Sequence, residues 1–196
     1  MFIRLHLADV RRVSLHPAAV VAATAAAAAS LLLAPGRDGF FGAGLGILMV
    51  LIAAIDFARY TIPDALSVPA FALGLAQVAL QESGTIAATT ATAALRGVIL
   101  ALLFWSLRIG YRLLRKRVGL GLGDIKLAAV AGAWLSWPAV PVAVDLAAFS
   151  ALIVYGIRQC LLRRAWQPTA RLPFGAFFGP AIWFGWIFET VILRRM

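Results

Sequence analysis

The sequence predicts an all-α protein, a polytopic transmembrane helix bundle of six to eight spans, with seven the best count. Three observations carry that fold class. Of the 196 residues, 63% are hydrophobic and 13% charged, with a mean hydropathy of +0.93, more apolar surface than a water-soluble domain of this size can bury. The apolar stretches are continuous and about twenty residues long, whereas an outer-membrane barrel would show ten-residue alternations. Prolines and glycines then punctuate those stretches, at Pro35-Gly36, Pro63, Pro138 and Pro141.

The spans fall at about 17–34, 39–55, 63–81, 93–110, 124–138, 140–157 and 174–192. Residues 1–16 are polar and basic, and with the Ala/Leu-rich run behind them they resemble a signal peptide. An uncleaved first span is preferred, because keeping it makes the charges alternate between the two sides. Pro35-Gly36 ends that span. Ile62-Pro63 opens the third, with proline at a tolerated first-turn position. Residues 82–92, Glu82-Ser83-Gly84-Thr85 and an Ala/Thr run, either lengthen the fourth span or form a short surface helix. Pro138 and Pro141 bracket a tight turn between the fifth and sixth spans. No appended soluble domain is expected.

Eighteen Lys and Arg against eight acids give a net charge of +10. The cations cluster in the gaps between apolar runs, as topology signals do, and no basic surface segment interleaved with aromatics is present, so nucleic acid is not an expected partner. With the N-terminus inside, one side holds Arg4, Arg11, Arg12, Arg59, Arg108, Arg112, Arg115, Lys116, Arg117, Lys126, Arg158, Arg163, Arg164 and Arg171. The other side receives Arg37, Arg194 and Arg195, a bias that sets the orientation. The single cysteine, Cys160, excludes disulfides and Cys-based zinc sites within one chain and reads as a small apolar filler. His6 and His16, isolated in the polar N-terminal stretch, are not a metal site, and no cofactor is expected.

Asp56 closes Leu-Ile-Ala-Ala-Ile-Asp, and Asp124 closes Gly-Leu-Gly-Leu-Gly-Asp before Ile-Lys. A carboxylate at a membrane boundary is costly to desolvate and usually marks function. The topology places both on the cytoplasmic side. Asp124 follows alternating Gly119, Gly121 and Gly123, a loop able to adopt positive φ and to let another segment pass close. As the opening of a helix it also fits a plain N-cap, but Lys126 two residues on asks for more than a cap. A phosphate-binding loop would need a Gly-Lys-Ser/Thr ending and a preceding strand. Asp56 ends a helix, where the dipole disfavours an acid, so it needs a compensating reason; Asp64 sits in a first turn, where the dipole favours one.

These residues carry a resemblance. Asp56 with Ile62-Pro63-Asp64, then Gly-Leu-Gly-Asp-Ile-Lys-Leu-Ala-Ala-Val-Ala-Gly-Ala-Trp, then Pro173-Phe174-Gly175, together resemble the type IV prepilin peptidases, bacterial members of the Gly-x-Gly-Asp membrane aspartyl proteases. The similarity runs from about residue 45 to 190. It implies Asp56 and Asp124 as the catalytic pair, with Asp64, Gly121, Gly123, Lys126, Pro173, Phe174 and Gly175 at supporting motif positions. It further implies a single peptidase domain over 1–196, with 1–16 a cytoplasmic segment, in the bacterial inner membrane. The expected partners are the lipid bilayer and prepilin or pilin-like substrates, cut behind a short basic leader. Larger members carry a cytoplasmic insertion with paired Cys-x-x-Cys motifs and methylate the new N-terminus. One cysteine cannot supply that site, so the short, peptidase-only form is expected. The third motif reads Pro-Phe-Gly-Ala-Phe where the family often has a second proline, and Pro180 follows, which puts the local backbone in question. A presenilin-like protease would end in Pro-Ala-Leu. The rival outside proteolysis is a small transporter or a pilus or secretion assembly scaffold, but no internal repeat is evident.

Two side issues remain open in the sequence. Arg96 and Asp145 each fall roughly 18 Å from the inner end of their spans at 1.5 Å per residue. They either pair inside the membrane or, if the 82–96 segment lies on the surface, leave Arg96 solvated. Lys126 either steadies charge or substrate, or snorkels to the interface. Trp105, Trp134, Trp137, Trp183 and Trp186 are assigned to interface anchoring and lipid contact.

Overall fold

The computed structural model describes residues 16–81, 86–117, 119–163 and 172–192. The N-terminal stretch with Arg4, His6, Arg11 and Arg12, the segment Glu82 to Thr85, and Arg164, Arg171, Arg194 and Arg195 lie outside the described residues. Helix and turn account for the described chain, in seven helices: α1 (Pro17–Leu33), α2 (Arg37–Arg59), α3 (Asp64–Gln81), α4 (Ile86–Arg115), α5 (Leu122–Trp134), α6 (Ala139–Leu161) and α7 (Phe174–Ile187). A π turn, Phe188–Ile192, extends α7.

Four stretches are long and apolar enough to cross a membrane: Arg37–Arg59, Ile86–Arg115, Ala139–Leu161 and Phe174–Val191. Pro17–Leu33 and Asp64–Leu80 are shorter apolar helices. Large aliphatic side chains stand outward all over the bundle. Leu32 is 81% and Leu114 85% exposed, which suits lipid and not water.

Each boundary has a local cause. Pro17 occupies the first turn of α1, where its missing N–H costs nothing. Gly36 turns the chain into α2 with φ 95°, a conformation that glycine adopts freely. Tyr60 ends α2 in the left-handed region, its N–H donating to the Asp56 carbonyl at 2.8 Å. Pro63 accepts the Leu66 and Ser67 N–H groups at the start of α3. Helix α4 begins at Ile86, so residues 86–92 lengthen the fourth helix and do not form a separate surface helix.

Helix α5 lies at the centre, packed on α3, α4 and α7. Apolar residues surround it on every side, as expected of a buried helix; Leu127, Ala128, Val130, Ala131 and Ala133 are almost fully enclosed. At 13 residues it spans only about 20 Å, ending before the Leu135–Pro138 stretch that the sequence assigned to the same span. Glycines permit the close approach: a Cβ on Gly132 would stand 2.6 Å from the Gly97 Cα of α4.

Helix α2 packs between α1, α3 and α7. A Cβ on Gly42 would overlap the Trp186 ring, and one on Gly46 would lie 2.9 Å from Trp183 Nε1. Here the tryptophan assignment needs correcting. Trp134, Trp183 and Trp186 are buried core residues, whereas Trp105 and Trp137 are half exposed. Trp183 Nε1 donates to Ser30 Oγ at 3.0 Å and Trp134 Nε1 to the Ala70 carbonyl at 2.8 Å, while Trp134 meets Trp186 edge to face. The indole N–H groups of Trp134 and Trp183 find partners inside the bundle, so neither needs the headgroup layer.

Arg96 also differs from both alternatives that the sequence offered. It belongs to the continuous helix α4, its Nε donates to the Gly132 carbonyl at 2.6 Å, and the Glu189 carboxylate lies within electrostatic reach. Asp145 is exposed on α6. Glu189 in turn accepts the Ser136 N–H at 3.1 and 3.2 Å and the Ser136 hydroxyl. Together with Arg37 donating to the Leu80 carbonyl at 2.8 Å, these bonds close one end of the bundle. Cys160, expected as a small filler, is exposed in the last turn of α6.

Candidate active site

The other end of the bundle collects the last turn of α2 and the first turns of α3, α5 and α7. Asp56 lies in that last turn, against the helix dipole, yet only 6% exposed. The compensation comes from α7. Its first turn presents free N–H groups, and Ala176 N–H donates to Asp56 Oδ2 at 3.0 Å, with the Gly175 N–H also engaging the carboxylate. The start of a helix is a natural anion seat. The acid disfavoured by its own helix is thus held by another, 120 residues away.

This explains Pro173-Phe174-Gly175. Pro173 is the residue before the first turn, Phe174 stacks obliquely on Phe178 at 5.3 Å, and Gly175 leaves the gap that the carboxylate fills. A Cβ there would stand 2.9 Å from Asp56 Oδ2 and 2.6 Å from Ile62 Cδ1. Pro180 lies within α7, which starts at Phe174 all the same.

Asp124, 8% exposed, is held differently. It is the third residue of α5 and not its N-cap; Gly121 takes that position, and its N–H donates to Asp124 Oδ2 at 2.9 Å. That is half of a capping box, the acid reaching back to the free donor. The alternating glycines serve space alone. Among the described glycines only Gly36 has positive φ. A Cβ on Gly119 would strike the Tyr111 ring, one on Gly121 would crowd Asp124 Oδ2 at 3.0 Å, and one on Gly123 would meet Ile62 at 2.8 Å.

Ile62 therefore touches both glycine motifs. Buried at 6% exposure, beside the fully enclosed Pro63, it forms a common floor beneath Gly123 and Gly175. Asp56 and Asp124 therefore stand at the same end of the bundle, each held beside a glycine that packs on Ile62. The sequence pointed to Pro63 as a helix opener and passed over Ile62. Its only signal was its place between two acids in Ile-Pro-Asp.

Asp64 and Lys126 meet outside the buried pair. Lys126 Nζ lies 2.5 Å from Asp64 Oδ1, joining α3 to α5, with Asp64 largely exposed. Snorkelling is not needed to explain the lysine. Arg108, counted in the sequence only as a topology charge, donates through Nη1 to the Leu120 carbonyl. A cleft of about 360 Å³ opens between Phe57, Tyr60, Tyr155, Arg158, Pro173 and Phe177, and neither aspartate lines it.

A family model described as the type IV leader peptidase family matches residues 43–157. The chain belongs to this family. It is 32% identical to a prepilin leader peptidase/N-methyltransferase of Aeromonas hydrophila over 166 residues, 84% of this chain and 55% of that one. Over 116 residues it is 37% identical to the protein of the same name in Klebsiella pneumoniae, covering 59% and 49% of the two chains. The leader peptidase HopD of Escherichia coli is 33% identical over 136 residues, 68% of this chain and 83% of that protein. The chain spans about half the length of the prepilin leader peptidase/N-methyltransferases it matches. No solved structure matches it. Asp56, Asp124 and the whole 119–126 segment lie within the matched residues; Pro173-Phe174-Gly175 lies beyond them.

Proposed function

We propose that this member of the family is a membrane aspartyl endopeptidase that removes the short basic leader of prepilins or pilin-like proteins. One observation carries the proposal: two buried carboxylates, each accepting a backbone N–H from a glycine-containing motif, share one end of a helix bundle.

Two such carboxylates do not both ionise readily, so the pair holds one proton between them. The ionised carboxylate takes a proton from a water molecule whose oxygen attacks the scissile carbonyl. The protonated one donates to the carbonyl oxygen, and the tetrahedral intermediate collapses as the leaving amine gains a proton. The N–H groups of Gly121, Gly175 and Ala176 hold the acids in place, and Ile62 keeps their two seats in register. The cleft at Phe57, Tyr60 and Phe177, which opens at the same end of α2 as Asp56, offers apolar walls for a substrate segment away from the cut.

The bundle lies in the bacterial inner membrane with all seven helices in the bilayer and α5 the shortest. Arg59, Arg108, Arg112, Arg115, Lys126 and Arg158 occupy the helix ends on the carboxylate side, with Arg37 at the other, which orients the acids toward the cytoplasm. A basic leader then stays in the cytoplasm, the apolar helix behind it enters the bilayer, and the bond between them arrives at the depth of the acids. The proposed activity is peptide cleavage, the chemistry that the two carboxylates support.

The test is co-expression with a leader-bearing pilin and mass measurement of its N-terminus. Cleavage by the native protein, lost in both Asp56→Ala and Asp124→Ala while each still inserts, is the expected result. Full processing by either variant would refute the pair.

A further inference from the structure

Arg108 stands half-buried on α4, outside every motif discussed so far. We infer that Arg108 is a positioning residue for Asp124, acting from α4 through the single peptide unit that joins Leu120 to Gly121. The inference rests on the peptidase function proposed above and extends it to a residue that touches neither acid by hydrogen bond.

The linkage is one rigid plane. The carbonyl that accepts from Arg108 Nη1 belongs to Leu120, and the N–H that donates to Asp124 Oδ2 belongs to Gly121. Both are parts of the same amide, which cannot twist appreciably about its C–N bond. Holding the oxygen on one side therefore aims the hydrogen on the other. A cationic donor on the carbonyl also polarises the amide and makes its N–H a stronger donor. A guanidinium suits the task, because its charge does not leave and its planar donors keep a fixed direction.

A second contact seats the same loop. The Tyr111 ring, on α4 beside Arg108, lies where a Cβ on Gly119 would come within 2.6 Å. Helix α4 thus grips the loop at Gly119 by packing and at Leu120 by a hydrogen bond. Among the described residues, the Arg108 guanidinium on α4 and the Asp56 carboxylate on α2 both bear on Asp124.

The test uses the full chain in nanodiscs with Arg108→Met and Arg108→Lys. Methionine keeps the aliphatic stem and removes donor and charge; lysine keeps both with poorer direction. Arg108→Met is expected to lower kcat about 10- to 100-fold, as a small misplacement of a reacting group does, with KM nearly unchanged. Arg108→Lys is expected to recover much of that loss. Amide hydrogen exchange at Gly121 should quicken in Arg108→Met and return toward the native rate in Arg108→Lys. A native kcat in Arg108→Met, or equal losses in both variants with unchanged exchange at Gly121, would overturn the inference. Should the native protein cleave no leader-bearing substrate, the peptidase proposal fails, while exchange at Gly121 still decides whether Arg108 sets that amide.

Discussion

Asp56 and Asp124 are both buried aspartates on backbone N–H donors, but their seats are built by opposite routes. Asp124 is held by Gly121, three residues away and in the same helical turn. Asp56 is held by the first turn of α7, 120 residues away. The first seat can form as soon as α5 does. The second exists only once α2 and α7 have docked, and it sits against the dipole of its own helix. One site thus joins a local and a tertiary element, and the tertiary half is the more fragile.

The most severe way to test that contrast is to remove the charges without changing shape. Asp56→Asn and Asp124→Asn should each lower kcat by about 100- to 10,000-fold, the range for a lost acid or base, with normal insertion. Equal losses would show that both seats serve one reaction. A mild loss in one would separate them.

Next in size comes Gly175→Ala. The added methyl meets both the Asp56 carboxylate and Ile62, so activity should fall more than tenfold, as for a displaced reacting group, and thermal stability should drop. Ile62→Ala should follow, costing about 2–5 kcal/mol of stability by leaving a cavity under both motifs, measured by thermal unfolding in detergent. Gly121→Ala should be milder than Gly175→Ala, because its Cβ would crowd Asp124 Oδ2, at 3.0 Å, and meet its other neighbours at ordinary contact distance. If Gly121→Ala proved the worse, the local seat would be the fragile one. Least of all, Lys126→Met should shift stability by about 0–1 kcal/mol, as expected for an exposed ion pair.

The same division separates what the sequence disclosed from what it hid. Gly-Leu-Gly-Asp-Ile-Lys lies within one loop and one helical turn, so Asp124, Gly121, Gly123 and Lys126 stood out together. Asp56 stood out because an acid at a helix C-terminus lacks a local reason. What satisfies it could not be read, since nothing near Asp56 in the chain points to α7. The seven helices followed from apolar runs and breakers, although α4 proved longer and α5 shorter than their hydropathy windows. Trp134, Trp183 and Trp186 were misread for a related reason. Trp183 and Trp186 look like lipid anchors until Gly42 and Gly46 are seen opposite them. Ile62 and Arg108 gave no signal, because an isoleucine among isoleucines and an arginine in a basic stretch have common explanations.

The packing of Ile62 bears on how the chain can change over generations. One aliphatic side chain limits the space at two glycines, so positions 62, 123 and 175 form a unit in which each constrains the others. A smaller residue at 62 makes room for alanine at 175. The pair of substitutions should then harm the protein less than the sum of the two made singly, and drift at any one of the three positions should await a matching step at another.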